Sequence, residues 1–439
     1  MIGFVGLSHL GLVYSLATAA KGFGVVACDA DRALTARCAA GKFPIEEPDF
    51  ADLFDQHGAR IRYTSDATAL VGCELVFYSL DVATNERNES DSGPLTDLVR
   101  ATAPKLSPGT TAVVLSQVSP GYTRQLRTDL RDVSSADFYY QVETLIFGRA
   151  VERAMQPERF IVGAADPARP LPAPLQAWHA SFKCPVLVMG FESAELAKIA
   201  INFFLVSSVA TTNTLAETCE AIGADWNEIV PALRLDRRIG PRAYLKPGLG
   251  IAGGNLERDL ITVQSLAARH GTEAGIVSAW QRNSQHRRDW AIRQIQRGLP
   301  SKEHQAVLAV WGIAYKPDTH STKNSPSIEL MRALRGHPIR AHDPVAQIGS
   351  AEFPHVTIFS SPLAAAEGAD ALLVMTPWNF YASVSLKELR KVFRGRIIID
   401  PYAVLDEAQC RDLGFEYHRL GKGTLSKIDH KNPDEGAAL

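Results

Sequence analysis

The chain has no cysteine arrangement that builds a disulfide framework or a zinc site. Its six cysteines (Cys28, Cys38, Cys73, Cys184, Cys219, Cys410) are scattered, and none pairs at CxxC spacing. No other metal set stands out. The chain also lacks a charge excess of one sign. A formal net charge of -2 offers no field to hold nucleic acid or an anionic membrane, so neither is an expected partner. The N-terminus lacks the basic, apolar and small-residue regions of a secretory signal. No apolar run reads as long enough to cross a bilayer. The expected location is the cytoplasm. No internal sequence repeat or low-complexity segment is visible.

What is present is ordinary for a globular protein: 46% hydrophobic and 21% charged residues. At 439 residues the chain exceeds a single hydrophobic core, which stops growing near roughly 250–300 residues, so two or three domains are expected. Residues 1–190 read as alternating strands and helices. Apolar strand candidates are Ile2–Val5, Val25–Cys28, Leu75–Tyr78, Ala112–Leu115 and Phe160–Val162, with a helix over Leu10–Lys21. From Glu192 to about Gly223, apolar residues recur at helical spacing for longer than an average helix, and a second helical region runs from about Thr262 to Arg297. Residues 191–297 therefore read as a helical linker. Alternation returns over 298–422, with strands at Ala306–Trp311, Ile339–His342, Ala371–Met375 and Arg396–Asp400 and a helix over Ser327–Arg335. The polar tail, 423–439, is expected to be disordered.

Gly6-Leu7-Ser8-His9-Leu10-Gly11 lies between a strand and a helix, the place of a dinucleotide-binding turn. Glycines there let backbone amides approach a pyrophosphate at a helix N-terminus. Ser8 stands where the middle glycine would be, so the pyrophosphate either sits further off or uses the hydroxyl. Asp29 ends the second strand near the expected offset of about 20 residues, where a carboxylate accepts from ribose hydroxyls and repels a 2'-phosphate. NAD is thereby favoured, with Arg32 pulling weakly the other way. The competing reading is a plain glycine turn with a surface Asp.

Three further segments carry chemistry. Lys198 and Asn202 are four apart and share one helical face in an apolar stretch. A buried Lys exchanges protons readily, although a snorkelling Lys and a solvated Asn fit the same pattern. Tyr244-Leu245-Lys246-Pro247-Gly248-Leu249-Gly250 leads through Gly253-Gly254 to Asn255 and Asp259, with four glycines in the seven residues 248–254. Something approaches such a backbone closely. Gly312-Ile313-Ala314-Tyr315-Lys316-Pro317 follows a strand directly, where open α/β sheets bind ligands.

Together and in this order, from Gly6 to about Asp406, these motifs resemble the UDP-glucose/GDP-mannose dehydrogenase family. Phe43-Pro44-Ile45-Glu46-Glu47-Pro48, Asp343-Pro344, Trp378 and Val404-Leu405-Asp406 add to the likeness. The resemblance implies an α/β fold: two Rossmann-like doubly wound parallel-sheet domains joined by a helical domain with a long central helix. It also implies NAD as cofactor, a nucleotide-sugar substrate and a homodimer. Lys198, Asn202 and Asp259 match the family's catalytic Lys, Asn and Asp, and Glu143 matches the Glu of its NPEFL motif. Tyr244, Leu245, Lys246, Gly250, Tyr315 and Lys316 fall at nucleotide-sugar contacts, and Arg238 at an Arg that reaches a neighbouring subunit. Lys323 stands at the Arg of the family's RES motif and is carried over as a cofactor contact.

Other positions depart. Asn255 occupies the place of the family's nucleophilic Cys, Gln117 that of the Thr in STVP, Phe147 that of a second Glu, and Asn324 that of the Glu of RES. Pro401-Tyr402-Ala403 replaces an Arg-rich turn. An amide cannot form the covalent intermediate through which the family removes a second hydride. The reading is therefore a single oxidation of a sugar hydroxyl, with Lys198 as proton acceptor and Asn202 and Asn255 orienting the oxygen. Two alternatives stand beside it: oxidation to a uronic acid without covalent capture, and a non-catalytic nucleotide-sugar-binding protein.

Overall fold

The computed structural model describes residues 1–85, 87–252, 254–299 and 305–423. The expected tail beyond 423 and Gly253 of the glycine run lie outside the described residues. The chain divides into two compact units, Met1–Phe203 with Arg258–His270 and Phe204–Glu257 with Gly271–Leu439.

The first unit holds eight strands: β1 (Ile2–Val5), β2 (Val25–Cys28), β3 (Ile61–Thr64), β4 (Leu75–Tyr78), β5 (Thr111–Val114), β6 (Asp137–Gln141), β7 (Phe160–Ala164) and β8 (Val186–Gly190). Their order is β3-β2-β1-β4-β5-β6-β7-β8. All neighbours are parallel except β6 and β7. The segments IGFV, VVAC, LVFY and TAVV are buried throughout, as strands covered on both faces must be. That continuous burial made them legible as apolar runs. The strands β3, β6 and β8 were not foreseen: β3 alternates polar with apolar, β6 opens on Asp137, and β8 is a half-exposed edge.

The second unit contains β9 (Leu308–Trp311), β10 (Ile339–His342), β11 (Val356–Ile358), β12 (Ala371–Val374), β13 (Ile397–Ile399) and β14 (Glu416–His418), ordered β11-β10-β9-β12-β13-β14. Every pair is parallel. This is the permutation of the first six strands of the other sheet, so a structural repeat exists where the sequence shows none. Both sheets reverse strand order at their first strand, and the carboxyl ends there form the crevice in which such sheets bind ligands.

The long helix is Phe191–Ile222, 32 residues. Phe191, Ala194, Glu195 and Ile199 are buried. By length and composition this helix is also apolar enough to cross a bilayer, with mean hydropathy 1.4 over its most apolar window. That corrects the expectation that no run reaches such length. Its charges, Glu192, Glu195, Lys198, Glu217 and Glu220, are confined to the two ends and leave residues 199–216 uncharged. The second helical region resolves into three helices, Asn255–His270, Gly275–Arg288 and Trp290–Gly298.

Candidate active site

At the crevice of the first unit, Gly6 takes φ +92° and leads into the helix His9–Ala20. Any Cβ at Gly11 would overlap the Gly6 carbonyl oxygen, so the strand end and helix start approach closely only with glycine. Asp29 Oδ2 accepts the Leu7 N–H at 2.7 Å, and Oδ1 accepts that of Asp31 at 2.9 Å. Each oxygen keeps a lone pair for a ligand hydroxyl. Arg32 is exposed at the start of the next helix, Arg32–Ala39.

Ser8 resolves the alternative left open above. Its hydroxyl donates to the Ser79 carbonyl at 2.9 Å and accepts the Asp81 N–H at 2.9 Å. The single proton of that hydroxyl is committed to the protein, so it has none to give a phosphate oxygen. A pyrophosphate must instead use the amides of the turn. His9 Nε2 meets Glu47 Oε1 at 2.8 Å, and its ring lies 4.5 Å from that of Phe147. Glu47 also accepts the N–H groups of Gly148 and Ala150 at 3.0 and 3.1 Å. The Pro44–Pro48 motif thus ties the dinucleotide turn to the loop after Glu143. The motif was visible in the sequence, but this role was not.

The second cluster stands on the start of the long helix. Glu195, Lys198 and Asn202 follow at helical spacing on one face. Glu195 is fully buried and accepts the Gly121 and Thr123 N–H groups at 2.6 and 2.9 Å, docking the loop after β5 on the helix. Burial pushes its carboxyl above the ordinary range. Lys198 Nζ lies 3.3 Å from Glu143 Oε1, with only 13% and 16% of the two side chains exposed. Asn202 Nδ2 donates to Asp259 Oδ2 at 2.5 Å, and Gln117 Nε2 donates to Asp259 Oδ1 at 2.6 Å. Arg258 donates through Nη2 to Gln117 Oε1 and holds its Nε 3.5 Å from Asp259 Oδ1. Burial raises the Asp259 carboxyl above its ordinary range, against the pull of Arg258, the Asn202 amide and Lys198. Four predicted residues (Glu143, Lys198, Asn202, Asp259) are therefore gathered into one cluster. Gln117 and Arg258 join them; sequence reading marked Gln117 only as a departure and assigned Arg258 nothing.

The remaining predicted residues belong to the second unit. The loop 244–251 is fixed from several sides. The Tyr244 carbonyl accepts from Thr212 Oγ1 at 3.0 Å, that of Leu245 from Trp226 Nε1 at 2.7 Å, and the Gly248 N–H donates to Asn213 Oδ1 at 2.8 Å. Gly250 takes φ +80° against the Ser284 backbone, where no Cβ fits. Leu245, Lys246 and Pro247 line a cavity of about 340 Å³ with Arg234, Tyr402 and Arg419. Lys316 Nζ lies 5.8 Å from the Tyr315 ring centroid in the loop after β9. Lys323 is in that loop too and so belongs to the second unit, whereas the glycine turn belongs to the first. Arg238 is exposed and paired with its own Asp236 at 2.6 Å. Asn255 is exposed at the head of the helix Asn255–His270.

The cysteines offer no thiolate. Five are buried and Cys184 is half-buried. Burial pushes all six thiols upward, Cys28 and Cys38 to about 11 and Cys410 to about 12.

A glycine turn of this shape, facing a carboxylate on the next strand, is built for a dinucleotide. In the same unit a lysine between carboxylates and amides is equipped to move a proton. The class so defined is a nicotinamide-dependent oxidoreductase. More particularly, the chain belongs to the UDP-glucose/GDP-mannose dehydrogenase family, whose NAD binding domain matches residues 1–182, its central domain 192–285 and its UDP binding domain 309–407. It is thus an NAD-dependent nucleotide-sugar dehydrogenase. A UDP-glucose 6-dehydrogenase of Pseudomonas aeruginosa is 28% identical, covering 95% of this chain and 96% of that one. One from Bacillus subtilis is 25% identical, covering 96% and 93%. The structure of a UDP-D-ManNAc dehydrogenase from Pyrococcus horikoshii has a TM-score of 0.83 at 22% identity, covering 96% and 100%. That of a UDP-glucose dehydrogenase from Pyrobaculum islandicum has a TM-score of 0.82 at 24% identity, covering 96% and 98%. These two likenesses show the fold.

Proposed function

We propose that this chain removes a single hydride from a UDP-linked sugar, giving an aldehyde or ketone, and stops there. The observation that carries the reading is the side chain at position 255, where an amide stands at the place of the family's nucleophilic thiol. An amide orients an oxygen but cannot attack an aldehyde. The cysteines support it, five being buried and Cys184 half-buried with its thiol pushed upward by burial, so that none is poised as a substitute.

The turn Gly6, Ser8, His9, Leu10 and Gly11, with Asp29 and Arg32, would hold NAD, and Lys323 is carried over from the family's RES motif as a cofactor contact. Bound NAD supplies the hydride acceptor. As the neutral amine, Lys198 takes up the hydroxyl proton, directly or through a water shared with Asp259, and Glu143 beside it balances the ammonium charge that results. Asn202 and Asn255 orient the sugar oxygen, and Asp259 anchors Asn202. Tyr244, Leu245, Lys246, Gly250, Tyr315 and Lys316 bind the nucleotide diphosphate. The chain is read as an NAD-binding segment 1–190, a helical segment 191–297 and a nucleotide-sugar-binding segment 298–422. Two chains associate through the long helix, which exposes 78% of Phe204 and 44% of Leu215. Arg238 then meets the partner's site.

A second reading has one specific support. Curated relatives are UDP-glucose 6-dehydrogenases, and Cys-independent oxidation to a uronic acid would keep their carbon and sugar. A panel of nucleotide sugars with NAD separates the two. One NADH per sugar is expected, whereas two would overturn single oxidation. Lys198→Ala should lower kcat by on the order of 10²–10⁴-fold. Full turnover in that variant would remove Lys198 from the mechanism.

A further inference from the structure

We propose that Gln117, fixed by Arg258, is a positioning residue that sets the direction of a chain of amides through Asp259, so that Asn202 keeps its NH₂ on Asp259 and turns its carbonyl oxygen toward the substrate. This rests on the reading of Lys198 and Asn202 as the groups that meet substrate.

A guanidinium only donates, so the Gln117 oxygen must face Arg258 and the Gln117 NH₂ must face Asp259. Asp259 Oδ1 is thereby committed to accepting. A proton on the carboxyl would have to ride on Oδ2, the oxygen that accepts from Asn202. Protonated Oδ2 would donate, and the Asn202 amide would turn over, presenting NH₂ where its oxygen had been. Because Asp259 is 1% exposed, water cannot mend the reversal. Burial raises the Asp259 carboxyl, and Arg258, the Asn202 amide and Lys198 oppose it; the N–H that Gln117 donates to Oδ1 acts in the same direction as those three. The charged and titratable groups facing it are Arg258, Lys198 and Tyr140, with Glu143 paired to Lys198 and Glu195 within electrostatic reach of Tyr140. Gln117 is 142 residues from Asp259 in the chain, so no local pattern announces the contact.

Two variants test this. Gln117→Leu removes the donor, and the isosteric Gln117→Glu places a carboxylate against Asp259 while keeping the pairing with Arg258. The first readout is a ¹³C carboxyl NMR titration of the protein alone, with Asp259→Asn identifying the resonance. The second is the pH profile of NADH formation with the best nucleotide sugar of the panel. The Asp259 midpoint should rise by about one pH unit in Gln117→Leu and further in Gln117→Glu, and the acid limb of kcat/KM should move with it. A Gln117 that merely fills space would lower activity equally at every pH and leave the midpoint in place. An unmoved midpoint in both variants overturns the proposal. Asn202→Ala separates the two layers: full turnover there would defeat the functional reading itself, whereas a crippled Asn202→Ala with unmoved Gln117 variants would defeat only the positioning role.

Discussion

The two sheets of this protein solve one problem in two ways. In each, a glycine with positive φ leaves the first strand, Gly6 at +92° and Gly312 at +96°. In each, that glycine donates to the last residue of the next strand, Cys28 at 2.9 Å and His342 at 2.8 Å. In each, an Asp follows that strand and accepts from the turn: Asp29 from Leu7, Asp343 from Ile313 at 2.7 Å and Ala314 at 3.0 Å. The difference lies in what comes next. After Gly6 a helix begins within three residues, and its N-terminus faces the crevice. After Gly312 a loop runs to the helix Pro326–Ala333 and carries Tyr315, Lys316 and Lys323. The first sheet is followed by a helix terminus with its backbone amides; the second is followed by a loop that carries lysine side chains. The Asp residues diverge accordingly. Asp29 accepts two backbone bonds and keeps capacity for a ligand, whereas Asp343 also accepts from Val345, Ala346 and the Trp378 indole, and is structural.

The largest effect expected from breaking this parallel is at the glycines. Gly11→Ala forces a Cβ onto the Gly6 carbonyl and should cost on the order of 3 kcal/mol, abolishing NAD binding by calorimetric titration. Gly312→Ala meets Thr376 in the same way and should destabilise the second unit comparably, while NAD affinity stays within about twofold. If both variants bound NAD like the parent, the first crevice would not be the cofactor site.

The Asp pair should separate next. Asp29→Ala is expected to weaken NAD binding about tenfold, about 1.4 kcal/mol. Asp343→Asn should leave that affinity alone and cost about 2 kcal/mol in thermal stability, because an NH₂ then faces N–H donors. Equal effects of the two on NAD affinity would erase the distinction between them.

The smallest effect concerns pH. Burial holds His179 down to about 4 from its ordinary 6.5, with Nε2 2.7 Å from Gln141 Oε1. Between those values the unfolded chain binds a proton that the folded chain refuses. The first unit therefore loses stability as pH falls through that window, by at most about 3 kcal/mol. Burial lowers His342 in the second unit as well, with Asp343 opposing it, so the loss there should be smaller. Scanning calorimetry between neutral pH and about 4.5 checks the order; a second unit that melts first on acidification would contradict it.

The parts of this fold that the sequence announced are those governed by local physics. Strands buried on both faces, such as VVAC and LVFY, show as apolar runs, and the long helix shows as a sustained period. The edge strands β3, β8, β11 and β14 bury too little to leave that mark. The repeat of the two sheets was hidden because only backbone shape is shared: GLSHLG and GIAYKP have little in common beyond the first glycine. The site divides the same way. Lys198 and Asn202 stood out as polar residues sharing one face of an apolar helix, and they took their roles, as Glu143 and Asp259 did, from the family's motifs. The ties from Gln117 to Asp259 and from Glu47 to Gly148 span 142 and 101 residues, and the fold alone brings them together.

The claim on which the account turns is that oxidation ends after one step. Its most direct test is the mass of the sugar product formed with excess NAD. A product that has lost only two hydrogens is the expected result. A product that has exchanged two hydrogens for an oxygen, the mark of a carboxylic acid, would contradict it.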